Sequence, residues 1–395
     1  MPHYRYLLVG GGMTADAAAR GIRELDGEGT IGIVTAEAHP PYDRPPLSKG
    51  LWKDMEEERV WRGTSDLAVD VHTGRRIIRV DAGERWVVDE GETVFTYERL
   101  LLATGGRPRK LKDAVPQVLY YRTLDDYRKL SALAAEGENF AVVGGGFIGS
   151  EVAAALAMNG KQVFLAFPED GICSKVFPPA LSGWLVDYYR DKGVHVLPGT
   201  EVAAVRRHDR RLLVSTVSRD QTETLQVDGV VAGIGIEPAV ELAQSVGIET
   251  SDGIVVDERL RTSVEGVWAA GDVASVPVPA LGTHMRFEHE DQANTTGRHA
   301  GRSMAGDEAP LDHLPFFYSD LFELGYEAVG DVDATRLKVV EDWKEPMEEG
   351  VLYYLDGGRL RGVLLWNVWG KLEKARALIR EGKKRKLSEW KGAIR

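Results

Sequence analysis

One cysteine, Cys173, is all the thiol chemistry this chain holds. An internal disulfide is therefore excluded, and a reducing, cytoplasmic setting is expected. No apolar run reaches the length of about 18 residues that marks a membrane span. The N-terminus enters a first strand directly, so no signal or transit segment is expected. Positive charge is in deficit: 49 Lys and Arg face 61 Asp and Glu, a formal net charge of −12. That balance argues against general nucleic-acid or anionic-membrane binding. The basic run Lys383 to Lys386 reads chiefly as a solvated helix end, with docking of an acidic partner as the lesser reading. No low-complexity tract occurs, and no metal is expected. At 395 residues, 43% hydrophobic and 28% charged, the chain suits two or three soluble globular domains.

Glycine is where the sequence becomes specific. FAVVGGGFIGSE, Phe140 to Glu151, runs four apolar residues into Gly144, Gly146 and Gly149, and Ala-rich helical sequence follows from Glu151 to Asn159. Strand, tight turn and helix N-terminus make a pyrophosphate cradle. Gly144 allows the turn, Gly146 lets the backbone approach the phosphates, and Gly149 allows close helix–strand packing. Alone, such a motif is weak. A second one, YRYLLVGGGMTA (Tyr4 to Ala15), places Gly10, Gly12 and Ala15 after the apolar strand Tyr6 to Val9. Ala15, Ala18, Ala19, Ile22 and Leu25 then fall on one helix face. A strand Thr30 to Val34 leads to Glu37, an acid at the distance a ribose diol requires. Two fingerprints in the same strand–turn–helix setting predict two bound dinucleotides.

Further along, the loop His39 to Trp52 is stiffened by prolines and carries Arg44 and Lys49; a cofactor face and a plain surface loop are equally open readings. Val71 to Leu102 alternates as an antiparallel excursion returning to a buried strand, Arg99 to Ala103. Thr104, Gly105 and Gly106 then let the chain pass close to a dinucleotide. Leu124 to Ala134 reads as a helix. The strand Gln162 to Phe167 ends at Glu169, the second ribose acid, and with no adjacent Arg this favours NADH over NADPH. A helix Pro178 to Gly193 and strands at Val194 to Leu197, Val202 to Val217 and Thr224 to Ala232 follow. Arg206, Arg207, Arg210 and Arg211 form a basic cluster on a solvated hairpin. GIGIEP, Gly233 to Pro238, marks a crossing back to the first domain. In GVWAAGDVA the strand ends at Gly271-Asp272, with Asp272 facing a ribityl chain or pyrophosphate rather than filling a common turn. A helix beginning near Glu288 would aim its N-terminus at a flavin, while His289 by itself is more often structural. Strands at Glu327 to Gly330, Arg336 to Val340, Val351 to Leu355 and Leu360 to Trp366, closed by a helix Leu372 to Glu381, suggest a small antiparallel sheet from Pro315 on.

PYDRPPLSKGLW, GGGFIGSE, FPEDGI, GIGIEP, WAAGDVA and EHEDQANTTGRHAG together resemble the flavoprotein reductases that include apoptosis-inducing factor and the ferredoxin and rubredoxin reductases. They belong to the pyridine nucleotide-disulfide oxidoreductase superfamily. GVLLWNVWGKLEKARALIREG and FFYSDL resemble the apoptosis-inducing-factor branch most. The resemblance implies an α/β fold of the glutathione-reductase type. Two Rossmann-like domains, one for FAD (1–110 and 236–308) and one for NADH (111–235), precede a C-terminal α+β, interface-like domain (309–395). It further implies FAD contacts from Gly10, Gly12, Ala15, Glu37, Arg44, Lys49, Thr104, Gly105, Arg128, Gly271, Asp272, Glu288, His289 and Tyr318. Gly144, Gly146, Phe147, Ile148, Gly149, Glu151, Glu169, Lys175 and Gly235 would serve NADH, and Lys49 would pair with Glu151 beside flavin N5. Tyr318 stands where the family usually has Trp and offers less stacking area. Trp343 and Val351 are too close in sequence for the long insertion of the vertebrate apoptotic members, so the resemblance does not extend to death signalling.

Relatives that work through thiols need paired cysteines, or one cysteine between the first acidic strand end and the RPPLSK-like loop. Here that interval holds none, and Cys173 reads as structural. The expected function is an FAD-dependent NADH reductase delivering electrons to a ferredoxin, a rubredoxin or a quinone. The alternative is a redox-responsive binding protein of the apoptosis-inducing-factor kind, with slow turnover and a homodimer as one admissible assembly.

Overall fold

A computed structural model describes residues 1–219 and 221–394; Arg395, which ends the expected C-terminal domain, lies outside the described residues. Compactness divides the chain into two units. Met1–Arg44, Glu57–Arg107 and Glu237–Phe316 form the first; Pro45–Glu56, Pro108–Ile236 and Phe317–Arg395 form the second. Of the segment expected as a third domain, 309–316 fall in the first unit and 317–395 in the second, as does most of the proline loop.

The first unit is built on a sheet whose central strand, His3–Val9, pairs in parallel with Ile31–Val34 and Val94–Leu102. Val69–His72 extends the sheet, also in parallel. Only Ile77–Asp81 and Trp86–Asp89 form the antiparallel excursion. Val71 and His72 therefore depart from the sequence reading, because alternation reports burial and not strand direction. The short strand Val267–Ala269 adds to the far side of Val94–Leu102.

Two helices, Met13–Arg23 and Glu290–Met304, pack closely in this unit. The contact is made by backbone: a Cβ on Gly297 would stand 2.4 Å from Thr14 O, and one on Gly301 would stand 2.0 Å from Ala18 O. Ala15, Ala18, Ala19 and Ile22 are fully buried, as their spacing predicts. Leu25 is not: it lies past the helix end and is 49% exposed. The second helix begins at Glu290 with His289 as N-cap, two residues later than the sequence suggests.

The second unit carries a parallel sheet in the order Val194–Leu197, Gln162–Ala166, Asn139–Val143, Gly229–Ala232, Leu119–Tyr120. Beside it, the stretch read as one strand from Val202 folds as a hairpin, Glu201–His208 with Arg211–Val217, turning at Asp209 with φ +54°. Thr222–Val227 completes that antiparallel sheet, and Gly229–Ala232 leaves for the parallel one. The C-terminal segment folds as a five-stranded sheet in the order Phe316–Leu321, Leu324–Gly330, Arg359–Trp366, Glu349–Asp356, Lys338–Glu345. Leu372–Glu381 packs on two of its strands. Phe316–Leu321 was not among the expected strands. Among the described residues, no helix is long and apolar enough to cross a membrane.

Candidate nucleotide and redox sites

In the first unit the strand His3–Val9 delivers the chain to Gly10 at φ +117°, where a Cβ would stand 2.1 Å from Ala103 O. No side chain is admissible there. Gly12 is the N-cap of Met13–Arg23, and no side chain caps that helix start. The contrast with Leu124–Glu136 is direct, because that helix is closed by a Thr123–Asp126 capping box. A helix start left uncapped offers its N–H groups to an anion. A Cβ on Gly12 would meet only the Arg44 guanidinium, at 3.9 Å, so the space before the turn fits a pyrophosphate. Glu37 accepts from Tyr42 Oη at 2.6 Å and pairs with Arg44, which fixes the acid expected to meet a ribose. Gly105 and Gly271 have positive φ, and Thr104 Oγ1 donates to Ala239 O at 2.8 Å. Asp272 is half-buried; its carbonyl accepts from Arg286, which also pairs with Glu288 at 2.6 Å.

Two carboxylates, Glu290 and Asp291, occupy the first turn of the helix that starts after His289. They already offset the positive pole that a reduced flavin would use. Asp291 is further held by His313 at 2.5 Å.

The second unit repeats the cradle. Gly144 has φ +108°, Gly146 is an uncapped N-cap to Phe147–Met158, and a Cβ on Gly146 would meet nothing within 4 Å. Gly149 is required within the turn itself: its Cβ would stand 1.8 Å from Gly144 O. Phe147 is half-buried with its ring edge-on to Phe317 at 5.2 Å, and Ile148 is exposed. Glu169 is exposed past the end of Gln162–Ala166, and the Gly235 carbonyl accepts from Arg109 N–H at 2.9 Å. Lys175 and Arg128 also lie in this unit, both exposed, with Arg128 3.5 Å from Asp125.

The second unit also holds a buried ion pair. Glu151, on the helix that the second cradle opens, is 4% exposed, and Lys49 Nζ stands 2.7 Å from its Oε1. The Pro45–Ser48 turn presents Lys49, and Trp52 Nε1 and Tyr121 Oη fasten that turn by donating to Leu47 O. Tyr318, 37% exposed, holds its ring 5.6 Å from Lys49 Nζ. Sequence reasoning missed Ser48 and Ser319, which both donate to Glu151 at 2.5 Å. Ser319 was findable: FFYSDL alternates in and out, which is the signature of the strand that carries it. Cys173 is buried, and burial pushes its thiol up to about 12, so it stays protonated and inert.

A chain with two such cradles is an oxidoreductase that holds two dinucleotides. A model of the pyridine nucleotide-disulphide oxidoreductase family matches residues 4–297, and the chain belongs to that family. It is an NAD(P)H-dependent flavoprotein oxidoreductase, with FAD and NADH as cofactors. Apoptosis-inducing factor 1 of Dictyostelium discoideum is 33% identical over 421 residues, covering 95% of this chain and 78% of that protein. Monodehydroascorbate reductase 3 of Arabidopsis thaliana is 30% identical, covering 92% and 89%. The structure of a ferredoxin reductase from Rhodopseudomonas palustris aligns with a TM-score of 0.86 at 28% identity, covering 98% and 96%.

Proposed function

We propose that the chain is an NADH-dependent reductase that passes electrons from FAD to an external acceptor, a ferredoxin, a rubredoxin or a quinone, without a thiol relay. The observation that carries this reading is the Lys49–Glu151 pair, a buried cation–carboxylate couple on the helix of the second cradle. When bound, FAD takes up hydride from NADH and gives electrons onward. In this reading residues 1–110 and 236–308 hold FAD. Gly10 and Gly12 admit its pyrophosphate, Glu37 takes its ribose, and Asp272 faces its linking chain. Residues 111–235 hold NADH, with Gly144 and Gly146 at its pyrophosphate and Glu169 on its ribose. Phe147 would gate the nicotinamide. Lys49 would supply positive charge near flavin N5, where negative charge grows on reduction.

The ferredoxin reductase likeness supports a protein acceptor. The test is NADH oxidation by purified holoprotein against ferredoxin, rubredoxin and quinone acceptors, with Lys49→Ala alongside. Turnover with one acceptor class and slowed flavin reduction in Lys49→Ala are expected. Unchanged reduction in that variant would remove Lys49 from the mechanism. The likeness to apoptosis-inducing factor favours a second reading, a slow redox sensor. Slow reduction with a long-lived charge-transfer band would select it.

A further inference from the structure

The Glu151 carboxylate accepts three donors, and only one of them is charged. Lys49 Nζ and Ser319 Oγ both address Oε1, at 2.7 and 2.5 Å, and Ser48 Oγ addresses Oε2 at 2.5 Å. Both serines are buried, 7% and 2% exposed. They reach the same carboxylate from distant parts of the chain, one from the turn directly before Lys49, the other from the strand Phe316–Leu321 beside Tyr318. The titratable groups that feel the Glu151 charge are Tyr121, Cys173, Tyr189 and Tyr326. Burial raises the pKa of each, so all four stay neutral, and Lys49 is the cation that faces Glu151.

An ammonium is a point charge on a flexible stem and can settle against any lone pair of a carboxylate. The serine hydroxyls remove that freedom. With Ser48 on one oxygen and Ser319 sharing the other, two of the roughly four lone-pair sites are taken, and Lys49 is confined to those that remain. A carboxylate with only the ammonium for a partner would also be poorly compensated for its burial.

We propose that Ser48 and Ser319 are positioning residues that fix the Glu151 carboxylate and thereby fix where the Lys49 ammonium stands for hydride transfer. The inference rests on the role proposed above for Lys49.

Single-turnover flavin reduction, followed across NADH concentrations, separates the limiting rate from NADH affinity, and the flavin midpoint potential is measured on the same protein. Ser319→Ala is expected to keep its FAD, lose about tenfold in limiting rate, and shift the potential downward, with NADH affinity unchanged. Ser319→Thr, which keeps the hydroxyl, restores the rate. Ser48→Ala gives the same pattern, and carries the test if Ser319→Ala does not fold. A limiting rate within twofold of the parent in the alanine variants, or a threonine variant as slow as alanine, overturns the proposal. Failure of the parent protein to be reduced by NADH would instead sink the reductase reading itself.

Discussion

The Gly10–Gly12 and Gly144–Gly146 turns share a positive φ at their first glycine, 117° and 108°, and both open helices that no side chain caps. Each helix also buries one carboxylate, and there the two regions part. Asp16, fully buried, accepts from Arg20 Nε at 2.9 Å, Arg62 Nε at 2.7 Å and Thr64 Oγ1 at 2.7 Å, and Arg62 pairs in addition with Asp43. Glu151 has one ammonium and two hydroxyls. Planar guanidinium forks lock geometry, whereas an ammonium is a charge that chemistry can use. In the proposed reading the first arrangement braces a scaffold and the second holds a reactive charge in place.

That distinction can be broken most sharply at the glycines. Gly10→Ala forces a Cβ to 2.1 Å from backbone, and loss of at least about 3 kcal/mol with loss of FAD is expected in a denaturant melt. Gly146→Ala meets nothing within 4 Å, so its melt stays close to the parent while NADH titration weakens about tenfold or more. Equal destabilisation by the two would erase the argument. Next come the carboxylates. Asp16→Ala takes the buried carboxylate away from Arg20 and Arg62, leaving Arg62 only Asp43, and should cost about 2–3 kcal/mol in chemical unfolding. Glu151→Gln, which keeps an amide oxygen for the Lys49 ammonium, should cost less, about 1–2 kcal/mol, and slow flavin reduction about 100-fold.

Acid titration gives a smaller effect in the same direction. Burial opposes ionisation of Asp16, but the bonds from Arg20, Arg62 and Thr64 outweigh it and hold its pKa below the ordinary 3.8. A depressed pKa contributes stability above the unfolded value and loses it as pH falls through the folded one. Stability should therefore drain below about pH 4, and Asp16→Asn should flatten that limb of the curve. Smallest of all is Cys173→Ala. NADH-dependent reduction of an artificial acceptor should stay within twofold of the parent, since a thiol held protonated carries no current.

The glycine turns were legible because backbone geometry at Gly10, Gly144 and Gly149 leaves a one-letter record. Lys49 and Glu151 were reached only through a family likeness, since nothing local joins residues so far apart. Ser48 and Ser319 share that distance, and so does Arg62 on Asp16, whereas Arg20 stands only four residues from Asp16 on the same helix and was readable as a pair. Gly297 and Gly301, four apart on one helix, were a readable sign of close helix contact that went unused. The acids at Glu290 and Asp291 were equally visible, and they weaken the case for that helix as an anion stabiliser.

Anaerobic titration of the purified yellow protein with NADH tests the central claim most directly. One NADH per flavin should bleach the main visible band fully and no further reducing equivalents should be taken up, because one inert cysteine leaves no second two-electron store. Uptake of a second equivalent, or a flavin band that NADH does not bleach, would contradict the account.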